Sequence, residues 1–312
     1  MLFKTEFLQR LKHIIKSSLF DQVKKTFSGQ MPLSVRINTL RTDTADLKLR
    51  LDHLKIEYRT LVGFPNALII KDLTPRDLDF TGLLSEGRLY IQSLSSMLPV
   101  LLLDPQPGDR VLDLCAAPGS KASQIAALMK NQGELVCIEA IRGRYYKLKS
   151  VLSRLGVSNA RVVIMDGRRF RDRDLFERIL VDAPCSSEGR FKTYDKKTQA
   201  FWSLRKIKEM ARKQKGLLLN AARLLKKGGI LVYSTCTFAP EENEAVVDWL
   251  LRKTEGQLEI LPAAYPGIRT YPALTAWEGR NFDPRVSRCL RVLPTDEMEG
   301  FFIAQFTKKM KV

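Results

Sequence analysis

Histidine is nearly absent from this chain: His13 and His53 are the only two in 312 residues. Neither lies near a glycine loop or a cysteine, so a Ser-His-Asp or Cys-His mechanism has no imidazole to use. Both fall in segments with an amphipathic helical pattern and read as surface residues. The five cysteines, at 115, 137, 185, 236 and 289, contain no Cys-x-x-Cys pair. With so few imidazoles, that spacing excludes an ordinary zinc site. The odd count and the lack of a secretory signal argue against a disulfide framework. No window approaches the roughly 20 continuous apolar residues of a membrane span. The first ten residues carry scattered charges and lack a signal peptide's apolar core. A cytoplasmic protein without metal is therefore expected. The chain also lacks a three-glycine dinucleotide fingerprint, a Walker phosphate loop, internal repeats and low-complexity stretches.

Positive charge is abundant. Lys and Arg number 52 against 34 Asp and Glu, a net of +18. Such an excess suits a polyanion, because each phosphate neutralised releases counterions. The excess is also clustered: residues 186–227 hold 13 Lys/Arg against 3 Asp/Glu. Phe191, Tyr194, Phe201 and Trp202 are interleaved with this segment. Exposed aromatics there would stack bases, while one or two would pack in the core instead.

The element pattern divides the chain into 1–92 and 93–312. In the first part, residues up to about 28 read as a helix ended by Ser28-Gly29. Leu33 to Leu40 alternates like a strand, Thr44 caps a helix through Leu47, Leu51 and Leu54, and Ala67 to Ile70 is a further strand. This small α+β unit has few ionisable groups in a catalytic arrangement and reads as a recognition module or, alternatively, a structural appendage. In the second part, apolar strands at 110–114, 135–139, 161–165, 178–181 and 230–234 alternate with helices, and 301–306 is a last strand. The long helix from about Ile207 is expected to stop at Gly228-Gly229, and Pro240 to open the next helix at its first position. Gly156 reads as a C-cap glycine. Strand–helix alternation of this kind predicts an α/β fold with a doubly wound, mostly parallel sheet.

In such sheets ligands sit beyond the carboxyl ends of the strands. The first strand runs into Asp113-Leu-Cys-Ala-Ala-Pro-Gly119-Ser-Lys121, whose single glycine suits a nucleoside ligand better than a pyrophosphate. Glu139 ends the second strand, where acids bind ribose hydroxyls, and Asp166 ends the third, within reach of an adenine amino group. Each acid alone also fits a turn or cap. Two further strands end in Asp182-Ala-Pro-Cys185 and Ser234-Thr-Cys236-Thr. Two thiols beside one carboxylate fit two-stage covalent chemistry, a redox pair, or inert buried thiols. Cys137 and Cys289 read as inert and buried.

The segments Asp113-x-Cys-Ala-Ala-Pro-Gly-x-Lys121, Asp182-Ala-Pro-Cys-Ser186, and Ser234-Thr-Cys-Thr237 with Pro240-Glu-Glu-Asn243 resemble the motifs of the Sun-type (NOL/NOP/Sun) RNA 5-methylcytosine methyltransferases. Arg36 to Leu40, Tyr90 to Ser96 and Glu299 to Phe302 resemble further segments of that family, so the likeness runs from about residue 30 to 306. The resemblance implies a Rossmann-like methyltransferase sheet with a small RNA-recognition-like subdomain. It implies S-adenosylmethionine as methyl donor and transfer or ribosomal RNA as partner, held by a basic surface including 190–227. It further implies that Cys236 attacks C6 of cytosine and that Cys185 helps remove the C5 proton. Asp182 would hold the N3 side of the base, with Lys121 near donor and base. Cys115, Ala116, Ala117, Pro118, Gly119, Ser120 and Lys121 would cradle the donor, with Asp182 beside them. Glu139 would bind the ribose with Arg144 nearby, and Asp166 the adenine. The chain departs from the family pattern at Ser120, where glycine is usual, and Ala122, where threonine is usual. A monomer is expected. Two other readings compete: a DNA cytosine methyltransferase, in which the Pro-Cys thiol itself attacks, and a basic RNA-binding scaffold with a vestigial site.

Overall fold

The computed structural model describes residues 3–310. Its N-terminal segment forms two helices, α1 (Thr5–Ile14) and α2 (Ser17–Thr26), broken at extended Ile15 and Lys16. A single helix was expected here. The start of that expected helix, Met1 and Leu2, lies outside the described residues. The apolar faces of α1 and α2 cluster with Phe191, Trp202, Ile207 and Phe238.

A four-stranded antiparallel sheet follows. It comprises β1 (Leu33–Ile37), β2 (Tyr58–Leu61), β3 (Phe64–Ile70) and β4 (Leu89–Ile91), in the order β2-β3-β1-β4. Helices α3 (Thr44–His53) and α4 (Pro75–Phe80) lie between its strands in sequence. Val35, Ile37, Leu68 and Ile70 pack with Leu47 and Leu51 of α3 in a separate small core. The cap of α3 is Asp43, which accepts from the Ala45 N–H, and not the expected Thr44. Asp43 is the residue with extended dihedrals, and its carboxylate satisfies one of the first-turn N–H groups.

The larger sheet has nine strands. After α5 (Leu94–Leu103) come β5 (Arg110–Asp113), α6 (Ser120–Leu128), β6 (Glu134–Glu139), α7 (Arg142–Arg154), β7 (Ala160–Ile164), β8 (Phe176–Asp182), α8 (Leu204–Leu224), β9 (Leu225–Thr235) and α9 (Glu244–Lys253). Then follow β10 (Leu258–Leu261), β11 (Thr270–Pro272), a small hairpin of β12 (Ala276–Trp277) and β13 (Arg280–Asn281), β14 (Leu290–Val292) and β15 (Phe301–Lys308). The order is β11-β14-β15-β9-β8-β5-β6-β7, with β10 beside β15. Strands β9, β8, β5, β6 and β7 are mutually parallel, and β15, β14, β11 and β10 add an antiparallel wing.

Alternation along the parallel strands builds two cores. Leu112, Val136, Ile138, Ile179, Leu231 and Tyr233 face α8 and α9. Val111, Leu135, Cys137, Leu180 and Val232 face α5, α6 and α7. Each fully buried aliphatic side chain stabilises by roughly 1.5–3 kcal/mol relative to exposure, so both faces must stay covered. This is the doubly wound arrangement expected from the alternation. Strand order reverses between β5 and β8, which opens the crevice at their carboxyl ends.

Two further boundaries differ from the sequence pattern. Helix α8 ends at Leu224, and β9 begins at once; the chain then bulges past β8 between Phe176 and Arg178, with Gly228 at φ 75°. The two glycines thus serve a bulge in the strand. Pro240 does not open α9, which starts at Glu244 with Asn243 as its N-terminal flank. Residues 240–243 form a turn, and the side chains of Glu242 and Asn243 are spent on neighbouring loops. Gly156, at φ 75°, does terminate α7 as expected.

Candidate active site

The carboxyl ends of β5, β6, β8 and β9, the β5–α6 loop and the four-stranded sheet enclose a crevice of about 1030 Å³. That exceeds a typical small-molecule pocket and leaves room for a nucleoside donor together with a base. Cys115, Ala117, Pro118, Ser120, Lys121, Glu139, Arg144, Asp166, Asp182, Cys185 and Cys236 all line it. Ala116 and Gly119 belong to the same loop. Gly119 has φ 113°, and a Cβ there would lie 3.0 Å from Val151 and 3.2 Å from Leu148 of α7. Glycine is thus required both by the left-handed backbone and by the close packing of loop on helix.

The side of the crevice at the ends of β5, β6 and β7 combines charged groups with an apolar wall. Glu139 is buried; its Oε1 accepts the Ile141 N–H at 2.8 Å, and Oε2 pairs with Arg144 at 3.3 Å. Arg144 also donates to the Ala117 carbonyl at 2.8 Å, tying α7 to the loop. Each carboxylate oxygen keeps a lone pair for a hydroxyl donor, so Glu139 fits a ribose. Leu114, Ile141 and Leu217 supply apolar wall for a purine. Asp166 is already engaged, since Arg168 donates to it at 2.5 and 3.0 Å and lowers its pKa. Asp113 lies beneath the loop. Its Oδ1 accepts the Cys115 N–H, while Oδ2 is buried without a partner, and burial pushes its carboxyl up to about 7. Burial also raises the Cys115 thiol well above its ordinary value, so Cys115 is a wall residue rather than a nucleophile.

The base side holds a fixed polar chain. Lys121 is buried on the first turn of α6 and donates to Asp182 Oδ2 at 2.7 Å and to Ser96 Oγ at 2.9 Å. Ser234 Oγ donates to Asp182 Oδ1 at 2.7 Å. Asp182 and Ser234 are adjacent because β8 and β9 pair at that position. The same pairing brings the following turns together, so that the Sγ atoms of Cys185 and Cys236 stand 3.4 Å apart. They are free thiols. The pair titrates unequally. The Cys185 hydrogen bond to Cys236 lowers Cys236, aided by the Arg190 guanidinium, and the same bond with burial raises Cys185. Two sulfurs this close cannot both be anionic.

Around the thiols is a shell that spacing alone did not reveal. Glu242 accepts the Ser186 N–H at 3.1 Å and Gln214 Nε2 at 2.8 Å, and Gln214 also holds the Pro184 carbonyl at 2.9 Å. Glu188 accepts Trp202 Nε1 at 2.7 Å, Thr237 Oγ1 at 2.9 Å and the Phe238 N–H at 3.0 Å. Gly189 N–H donates to the Cys236 carbonyl at 2.9 Å, and a Cβ at Gly189 would meet the Gly300 oxygen at 2.3 Å. The two cysteine turns are therefore one stapled unit. Glu242 lies inside the Pro-Glu-Glu-Asn segment, so its presence was legible but its role was not. Ser96, Ser187, Arg190 and Glu299 also line the crevice and had no individual role in the sequence reading. Of the interleaved aromatics, Phe191 and Trp202 are buried, whereas Tyr194 and Phe201 are exposed. Cys137 and Cys289 are buried, and His13 and His53 are exposed.

A doubly wound sheet, a nucleoside crevice at its switch point and paired thiols on adjacent strand ends define a methyltransferase of the two-cysteine kind. A family profile described as 16S rRNA methyltransferase RsmB/F matches residues 100–307. The chain belongs to that family: it is a Sun-type RNA (cytosine-5)-methyltransferase dependent on S-adenosylmethionine. A tRNA (cytosine(49)-C(5))-methyltransferase of Pyrococcus abyssi is 38% identical over 98% of this chain and 99% of its own length. Ribosomal RNA small subunit methyltransferase F of Escherichia coli is 36% identical over 99% of this chain but only 64% of its own length. The crystal structure of a methyltransferase homolog from Pyrococcus horikoshii superposes with TM-score 0.80 at 31% identity, covering 98% of this chain and 100% of that one. Membership in an RNA-modifying family removes the DNA reading, and no helix among the described residues is long and apolar enough to cross a membrane.

Proposed function

We propose that Cys236 is the nucleophile and Cys185 the releasing base of a cytosine C5 methyl transfer on transfer or ribosomal RNA. The observation that carries this is the 3.4 Å approach of two free thiols, of which Arg190 favours the thiolate of Cys236, in the crevice that also holds the Lys121–Asp182 pair. The Cys236 thiolate bonds to C6, which makes C5 nucleophilic. Bound S-adenosylmethionine supplies an electrophilic methyl group, and C5 takes it. Cys185 then removes the C5 proton; the C5–H electron pair restores the C5=C6 bond, and the S–C6 pair returns to Cys236. Asp182, held by Lys121 and Ser234, faces the N3 side of the cytosine. Cys115 to Lys121 cradle the donor, Glu139 and Arg144 hold its ribose, and Asp166 serves its adenine once Arg168 yields.

The RNA is held outside the crevice. Lys196, Lys197, Arg205, Lys208 and Arg212 are exposed and form no ion pair with the described residues, which leaves their charge for phosphates. Exposed Tyr194 and Phe201 lie in the same segment. Residues 1–92 contribute the other wall, through Gln30 to Ser34 and Tyr90 to Gln92. We take 93–312 as the catalytic domain, the working unit as a monomer and its compartment as the cytoplasm. The target cytosine must leave its stack, which costs a few kcal/mol in a duplex and less in a loop.

The test is trapping on RNA. Cys185→Ala should accumulate a covalent protein–RNA adduct, and Cys236→Ala should form none. Bisulfite sequencing of total RNA after deleting the gene should lose methylation at the target cytosine and so decide between transfer and ribosomal RNA. No lost site in either RNA class would sink the reading.

A further inference from the structure

Ser187 takes no part in the chemistry described so far. Its backbone lies at φ 58°, ψ 30°, in the left-handed region. Side chains with a Cβ are strained there, and glycine is not. A non-glycine residue held in that region beside reacting groups points to a use for its side chain. The side chain lines the crevice together with both thiols. Ser187 Oγ is 3.5 Å from Cys236 Sγ, whose S–H donates to it, and 3.8 Å from Cys185 Sγ. With 3.4 Å between the sulfurs, the three atoms form a triangle. The hydroxyl's own donor contact, to the Cys185 carbonyl at 3.4 Å, is long, so the O–H rotor can turn to a better acceptor. Neither imidazole of the chain lines the crevice.

We propose that Ser187 is a catalytic residue whose hydroxyl donates a hydrogen bond to whichever of the two sulfurs is anionic. This rests on the assignment of Cys236 as nucleophile. Before attack, the Cys236 proton leaves to water and the Ser187 O–H turns to the thiolate. Formation of the S–C6 bond removes the negative charge from that sulfur. The O–H then turns to Cys185, whose proton has gone to water, and steadies this second thiolate. Cys185 takes the C5 proton and becomes neutral, while the S–C6 electron pair returns the charge to Cys236. The charge is never on both sulfurs, as their separation demands, and the Ser187 proton is never transferred.

The experiment compares the full-length protein with Ser187→Gly and Ser187→Ala. Iodoacetamide alkylation is followed from pH 6 to pH 10, with Cys185 and Cys236 read separately by peptide mass spectrometry. Loss of a hydrogen bond to a thiolate raises its pKa. The Cys236 midpoint should therefore move up in both variants, and alkylation at pH 7.5 should slow about three- to tenfold. Ser187→Gly fits the left-handed backbone, so its thermal midpoint should not fall, and it decides the matter if Ser187→Ala does not fold. Adduct formation on RNA in a Cys185→Ala background should slow by a similar factor. An unchanged Cys236 midpoint in Ser187→Gly overturns the proposal while leaving the nucleophile assignment standing. An RNA adduct that survives Cys236→Ala overturns that assignment instead.

Discussion

Glu242 shows how much one buried carboxyl can hold. It receives the Ser186 N–H and Gln214, and its backbone carbonyl accepts the Tyr233 hydroxyl at 2.5 Å. Burial pushes its pKa from 4.5 up to about 8. Between those values the folded protein keeps a proton that the unfolded chain has released. Stability contributed by this group is therefore complete below about pH 4.5 and is lost as pH rises through about 8, with a slope of at most about 1.4 kcal/mol per pH unit. Glu242→Gln keeps an oxygen acceptor and cannot ionise. Urea denaturation midpoints at pH 5, 6.5 and 8 should then depend less on pH than in the parent. A residual slope is expected from Asp113, whose carboxyl is raised to about 7. An identical slope in Glu242→Gln would show that this carboxyl does not titrate in that window.

Among the elements, α9 and β14 are joined by an ion pair that lies wholly inside the protein. Arg291 donates to both oxygens of Glu244 at 2.6 Å and to the Phe238 carbonyl at 3.0 Å. Glu244 is the first residue of α9, where a negative charge also suits the helix N-terminus. Phe238 follows the Cys236 turn, so the pair anchors the loop that carries Cys236 from behind. Removing one partner leaves a buried unpaired charge. Arg291→Met should cost about 3–5 kcal/mol in denaturant unfolding, and Arg291→Met with Glu244→Gln should recover part of it. Equal stability of the single and double variants would refute this account. The helix and strand cores themselves were legible from apolar spacing. Their ends were less so: α3 is capped by Asp43 and not Thr44, and α9 starts four residues after Pro240. Competing cap and turn residues stand side by side in the chain, and tertiary hydrogen bonds choose among them.

For the whole molecule, the charge of +18 suits a polyanionic partner and predicts salt-dependent binding. Reversing Lys196, Lys197 and Arg205 to Glu should weaken RNA binding and make log K less steep in log salt. Donor binding, read by calorimetry, should be unchanged, because none of the three lines the crevice. An unaltered salt slope would place the RNA on another face.

The chain's composition and spacing determined by themselves that imidazole chemistry is excluded, that the sheet is doubly wound and that two cysteines end strands. Those are local properties: residue type, apolar period and turn chemistry are written in consecutive residues. How the two thiols meet was decided only by tertiary structure. That meeting depends on the β8–β9 register, which brings the two cysteine turns together and sets the sulfurs 3.4 Å apart, with Arg190 and Ser187 lining the same crevice. Electrostatic coupling falls with distance through space, and the distances that matter here join residues 51 positions apart in the chain.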